Sequence, residues 1–140
     1  MTPFHHLLAS LTFDGTGQWR VNASDDWRQG RTLYGGLSAA LCHAACEAFV
    51  PNLPALRSAQ IAFIGPAAGE AVVRPSIVRQ GKSVTYLSCD LFAEGALATR
   101  VLFAFGGARL SAFDLDADHA PIVPQPDDCP AFFGDRHPAF

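Results

Sequence analysis

The sequence predicts an α+β domain in which one long helix is wrapped by a curved antiparallel β-sheet. Three observations predict it. A segment opened by Gly35-Gly36 and rich in alanine and leucine runs to Val50, where Pro51 and Pro54 stop it. From Arg57 to Phe105 the apolar residues recur with period two, the signature of half-buried strands. Turn-forming clusters punctuate that stretch at hairpin spacing, with no second helical pattern between them.

The elements follow in order. Leu7, Leu8, Leu11 and Phe13 give an apolar opening that suits a short helix or a strand. Asp14-Gly15-Thr16-Gly17 is a turn signal, so Thr12–Asp14 and Gln18–Val21 are expected as a hairpin. Asn22 to Gly30 is polar and irregular and carries Asp25, Asp26 and Trp27 to the glycine pair. After the helix, Arg57–Gly65 sets Ala59, Ile61 and Phe63 on one strand face, and Pro66 ends the run. Glu70–Gln80 contains Pro75, which predicts an edge or a bulge there. Gln80-Gly81-Lys82-Ser83 is a hairpin turn, and Val84–Glu94 alternates Val84, Tyr86 and Phe92 against Thr85, Leu87, Cys89 and Leu91. Glu94-Gly95 makes the next turn, and Leu97–Phe105 returns with Leu97, Val101, Phe103 and Phe105 aligned. These segments form one domain over residues 1–110. Residues 111–140 hold prolines 121, 124, 126, 130 and 138 among aspartates and read as an extended arm. Asp114, Asp116 and Asp118 imitate a calcium loop, but His119 and Gln125 occupy the positions that need glycine and glutamate.

The helix carries the chemistry. Glycines at its start let a ligand approach amides that lack an intrahelical acceptor, at the positive end of the helix dipole. At 3.6 residues per turn, His43 and Glu47 each fall within roughly 20° of Gly36. Leu37, Ala40, Leu41, Ala44 and Ala48 share a separate arc and are expected to be the packing stripe. An amide, an imidazole and a carboxylate thus share one line. A solvated His–Glu pair is the competing reading.

Composition excludes several classes. Charged residues are 16% of the chain against 49% apolar, a lean surface that points to burial against another subunit. A net charge of −3 with no basic run argues against nucleic-acid binding. No charged and apolar leader opens the sequence, and no apolar run approaches eighteen residues, so a soluble cytoplasmic protein without membrane contact is expected. Cys42, Cys46, Cys89 and Cys129 lack metal or redox spacing and are expected to be buried free thiols, with no metal site.

The words Tyr34-Gly35-Gly36, Phe63-Ile64-Gly65-Pro66 and Val78-Arg79-Gln80-Gly81-Lys82-Ser83, in this order around one central helix, resemble the acyl-CoA thioesterase branch of the hotdog superfamily. More narrowly, residues 20–110 are similar to the N-terminal hotdog of thioesterase II, a double-hotdog enzyme, and to its single-domain relatives. The resemblance implies a hotdog fold, hydrolysis of an acyl-CoA thioester without cofactor or metal, and a homodimer or homotetramer with the site at a subunit interface. It also implies that the thioester carbonyl is held at the start of the central helix. In related thioesterases a His-Gly-Gly loop precedes an acidic residue about two turns along the helix. By position, Gly35 and Gly36 match the glycines, Tyr34 replaces the histidine, and the acidic position falls on His43. A general base at His43 with Glu47 as its partner is one expectation, and Asp25 or Asp26 supplying the carboxylate is the other. The catalytic Asp, Thr and Gln of thioesterase II belong to its C-terminal hotdog, so a non-catalytic acyl-CoA or acyl-chain binding protein is the alternative function. A hydratase of the same fold is weaker, because no Asp–His pair stands on the helix. For the CoA end, Lys82 with Arg79 and Ser83 is the expected phosphate site, and Gln60 is a candidate for the thioester or pantetheine amides.

Overall fold

A computed structural model describes residues 2–113 and 119–130. Asp114, Asp116 and Asp118, and Phe132, Phe133 and Phe140 of the expected arm, lie outside the described residues. The chain divides into two compact units, Met1–Ala108 and Arg109–Phe140. In the second, the described structure is exposed chain with one 3-10 turn, Pro126–Asp128.

The first unit starts with helix α1 (Phe4–Ala9), whose Leu7 is buried, and the hairpin β1 (Thr12–Phe13) and β2 (Trp19–Asn22). A 3-10 turn (Asp25–Trp27) leads to a small ribbon, β3 (Arg28–Gln29) and β4 (Thr32–Leu33), and then to helix α2 (Gly35–Phe49). Four strands complete the unit: β5 (Leu56–Phe63), β6 (Glu70–Gln80), β7 (Val84–Ala93) and β8 (Ala96–Gly106). They join β1 and β2 in one antiparallel sheet of order β1-β2-β6-β7-β8-β5. One main helix against a six-stranded antiparallel sheet is the α+β hotdog layout.

Local chemistry accounts for the turns. Glu94 and Gly95 both take positive φ, 51° and 79°, and close a two-residue hairpin between the paired Ala93 and Ala96. Pro75 sits where β6 has outrun β2, whose pairing stops at Val73, and a register shift follows between Ile77 and Arg79. The missing proline N–H therefore breaks no ladder bond.

The core lies between α2 and the inner row of the sheet. Thr85, Leu87, Cys89 and Leu91 of β7 face it with Val101, Phe103 and Phe105 of β8 and Val73 of β6. Each fully buried leucine among these contributes about 1.5–3 kcal/mol relative to exposure.

The helix buries a different stripe from the one expected. Leu37, Ser38, Leu41, Cys42, Ala45 and Cys46 are buried, whereas Ala40 and Ala44 are half-buried and Ala48 is exposed. The buried stripe is centred roughly opposite Gly36, at 100° per residue. Small hydroxyl and thiol side chains let the helix settle close onto β6 and β7, and a buried thiol behaves as a small hydrophobe. Leu97 also departs from its expected row, because a register shift between Leu91 and Phe92 pairs it with Phe92. Of the four cysteines, Cys129 is exposed and the other three are buried.

Candidate active site at the start of the central helix

Tyr34 precedes α2 and its carbonyl accepts from both the Leu37 amide (2.9 Å) and the Ser38 amide (3.3 Å). The Gly35 and Gly36 amides lie ahead of these bonds and have no helical acceptor. Aromatic rings crowd both glycines. A methyl group on Gly35 would come within 2.8 Å of Phe63 Cζ, and one on Gly36 would overlap the Tyr34 ring. Neither residue has positive φ, so glycine here lets the exposed Phe63 and Tyr34 rings lie against the helix start, and a larger residue would displace them.

Beside Gly35 lies a cavity of about 520 Å³, lined by Leu33, Phe63, Ile64, Ser38 and Thr99, with Gln29 and Arg31 among its polar residues. Its wall is braced by backbone pairing: the Leu33 amide donates to the Ala67 carbonyl (2.6 Å), and the Ala67 amide donates to Thr32 Oγ1 (3.0 Å). The Ile64 and Gly65 amides both donate to the Ala98 carbonyl, which anchors the end of β5 to β8. Ser38 is 2% exposed and Thr99 1%, so two of the polar groups that line the cavity come from the buried layer between helix and sheet. Sequence reasoning missed both. The available signal was Thr99, a hydroxyl in the apolar row Val101, Phe103 and Phe105.

The expected site residues divide among several places. Gly36, His43 and Glu47 share the helix face opposite the core. His43 is half-buried; its ring packs edge-on to Phe103 (centroids 5.6 Å) and tilted over Phe105 (5.8 Å), with Nδ1 3.4 Å from Glu47 Oε2. His43 is absent from the lining of the Gly35 cavity. Ala59, Ile61 and Phe63 of β5, all exposed, pair with Phe103, Val101 and Thr99 of β8, and His43 packs against Phe103 of that row.

Gln60 pairs with Leu102, on the sheet face turned away from Phe103, and does not meet the glycines. Arg79, Lys82 and Ser83 line a separate surface pocket of about 360 Å³ with Tyr86. That turn stands where Val84 pairs with Gly106, whereas Phe63 and Thr99 mark the Gly35 end. Seven strand residues separate the two ends, roughly 23 Å.

Asp25 pairs with Arg28 at 2.8 Å and is exposed. The Ser24 hydroxyl and the Thr2 amide donate to Asp26 and hold its carboxyl below the ordinary 3.8. A carboxylate so held is a poorer base, and neither aspartate lines the cavity. In the core, the Cys42 and Cys46 thiols hydrogen-bond Cys89, and burial adds to their effect; together they push the Cys89 thiol far above its ordinary 9.0. These thiols are inert packing groups.

Fold and site define a hotdog domain whose central helix opens on two glycines. Residues 23–106 match the acyl-CoA thioesterase N-terminal domain family, and the chain belongs to that family. Among solved structures it is similar to a hot-dog-fold protein from Alicyclobacillus acidocaldarius, with 23% identity over 97% of this chain and 51% of that one and a TM-score of 0.80. It is also similar to the acyl-CoA thioesterase II TesB2 of Mycobacterium marinum, at 19% identity over 91% and 47% of the two chains (TM-score 0.72). A third is the BH2602 protein of Bacillus halodurans solved with CoA, at 20% identity over 69% and 70% (TM-score 0.60). The chain spans about half the length of the first two, and at these identities the likeness establishes the fold. No curated protein matches the chain.

Proposed function

We propose that the chain is an acyl-CoA thioesterase that holds the thioester carbonyl at the start of α2 and hydrolyses it with base-activated water. One observation carries this: Gly35, whose amide like that of Gly36 has no helical acceptor, lines a cavity of about 520 Å³. Amides fixed at the positive end of a helix stabilise the oxyanion that forms as water attacks the carbonyl carbon. His43 takes the proton from that water. As the tetrahedral intermediate collapses, the C–S bond breaks and the CoA thiolate receives the proton, leaving a carboxylic acid. His43 stands about two turns, or 10 Å, beyond Gly36, and helical side chains lean toward the N-terminus, which brings the imidazole back toward the carbonyl. Glu47 orients the ring.

The same reading makes the chain a homo-oligomer. Every residue of β5 is exposed, and among the described residues β8 is its one partner strand, so a second copy pairing antiparallel and edge to edge along β5 covers the open strand. Such antiparallel pairing brings the Arg79–Ser83 turn of the partner to the Gly35 end. Within one protomer that turn lies too far away to share the site. The Bacillus halodurans protein solved with CoA supports an acyl-CoA as the ligand.

Thiol release from a panel of short, long and aromatic acyl-CoAs at neutral pH tests the activity. His43→Ala should lower kcat by at least ~100-fold with little change in melting temperature. An unchanged rate removes His43 from the mechanism. A second reading, non-catalytic acyl-CoA binding, is favoured by the cavity lining, which offers hydroxyls but no carboxylate or imidazole. No turnover together with a melting temperature raised by acyl-CoA would establish it.

A further inference from the structure

On the outer side of the sheet a second groove, of about 480 Å³, gathers Arg20, Arg28 and Arg74 around Phe92. Two carboxylates, Glu70 and Glu94, also line it, and Asp14 and Asp25 pair with Arg20 and Arg28, so of the three guanidinium groups Arg74 is the one left to an incoming anion. Arg74 is the most prepared of the three. Its guanidinium lies 4.4 Å from the Phe92 ring centroid, and its Nε donates to Gln18 Oε1 at 2.9 Å. Held by a ring and one hydrogen bond, Arg74 has no carboxylate partner among the described residues and keeps both terminal nitrogens for a bidentate anion. Arg20 is held by Asp14 (15% exposed) as well as by Glu70, whereas the one partner of Arg28 among the described residues, Asp25, is 81% exposed. An ion pair as exposed as Arg28–Asp25 contributes little, and a phosphate can displace it.

This groove and the Gly35 cavity share a wall. Gln29 and Ala67 line the cavity, and their chain neighbours Arg28 and Ala68 line the groove. Consecutive Cα atoms are 3.8 Å apart, so only the thickness of the 28–29 and 67–68 strands of chain separates the two. An extended pantetheine arm reaches roughly 15 Å, by the span of a chain with a few peptide-like units, and can cross that wall.

We propose that the outer groove binds the phosphorylated adenosine end of the acyl-CoA within the same protomer, Arg74 and Arg28 gripping its phosphates. The identity of the ligand rests on the thioesterase reading; the groove itself is a site for a phosphorylated nucleotide. Within one protomer it takes the role expected of the Lys82 turn, which stands at the other end of the sheet.

Calorimetric titration of the full chain with adenosine 3′,5′-bisphosphate, and separately with acyl-CoA, tests this. Arg74→Ala and Arg28→Ala should each weaken bisphosphate binding at least ~10-fold, as loss of a charge-assisted contact does. They should also raise the KM for acyl-CoA while kcat holds, with melting temperatures unchanged because both side chains lie at the surface. Wild-type protein that binds no bisphosphate at millimolar concentration overturns the proposal. So does undiminished affinity for both ligands in the two variants, or a loss that follows Lys82→Ala instead. The two readings fail separately. Bisphosphate bound in the groove of a chain that hydrolyses no acyl-CoA keeps the site and sinks the enzyme, while hydrolysis with unaltered KM in the arginine variants does the reverse.

Discussion

The two sides of α2 differ in a way that one helix rarely shows. Toward β6 and β7 it is sealed: Leu41, Cys42, Ala45 and Cys46 have no exposed surface and meet Leu87, Cys89 and Leu91, which have none either. On the opposite side Gly36 and Glu47 are exposed and His43 is half-buried, and on β5, the edge strand beside β8, Ile61 is 40% and Phe63 61% exposed. An isolated domain gains nothing from apolar strand residues left in water, and the pairing of two copies proposed along β5 would cover them. Stability is concentrated on one side of the helix, and the candidate chemistry on the other.

The largest effect that could break this comparison is on the sealed side. Leu41→Ala should cost about 2–5 kcal/mol of unfolding free energy, read by denaturant titration, because it leaves a cavity beneath the helix. A cost under 1 kcal/mol would mean that this side is not the core. On the open side, Ile61→Arg should leave the unfolding midpoint of the isolated chain nearly unchanged while raising the dissociation constant of self-association at least ~10-fold, by burying an unpaired charge at the strand edge. Sedimentation equilibrium measures it, and an unaltered assembly would move the interface away from β5. Smaller again is Glu47→Gln. An exposed His–Glu pair is worth about 0.3–0.5 kcal/mol, so kcat should fall about two-fold where His43→Ala costs about 100-fold. A fall as deep as that of His43→Ala would make the carboxylate more than an orienting partner.

The smallest effect belongs to the first loops. The Thr16 hydroxyl and amide hold the Asp14 carboxyl below its ordinary 3.8, as Ser24 and Thr2 hold that of Asp26. A depressed folded value means that the unfolded chain binds the proton more readily. The stabilisation is therefore complete above pH 3.8 and is lost as pH falls through the lower folded values. The melting temperature of an Asp14→Asn, Asp26→Asn variant should accordingly decline less below pH 4 than that of the wild type. Equal declines would place the acid sensitivity elsewhere.

Much of this architecture was legible in the residues. The β6 range, Glu70–Gln80, follows from period two and the flanking turns, and the Glu94-Gly95 hairpin follows from turn chemistry. The helix start at the glycine pair is equally local. The site was legible only in part. Gly35 and Gly36 stand where the motif puts them, but Ser38 and Thr99, 61 residues apart in sequence, meet at one cavity through the α2–sheet packing. Neither hydroxyl had a local pattern to announce it beyond its place in an apolar row.

By itself the sequence determined the order and type of the elements, the glycines at the helix start and the family, because these rest on periodicity, turns and short words read along the chain. Tertiary structure alone decided which face of α2 is buried, since that depends on how closely the helix settles on β6 and β7. It also decided that Lys82 and Gly35 stand at opposite ends of the sheet and that Gln60 faces away from the helix. Strand register sets both, and register is a relation between distant segments. The arginine groove is the clearest case: Arg20, Arg28 and Arg74 look like scattered surface charges until antiparallel pairing of β2 with β6 brings two of them together.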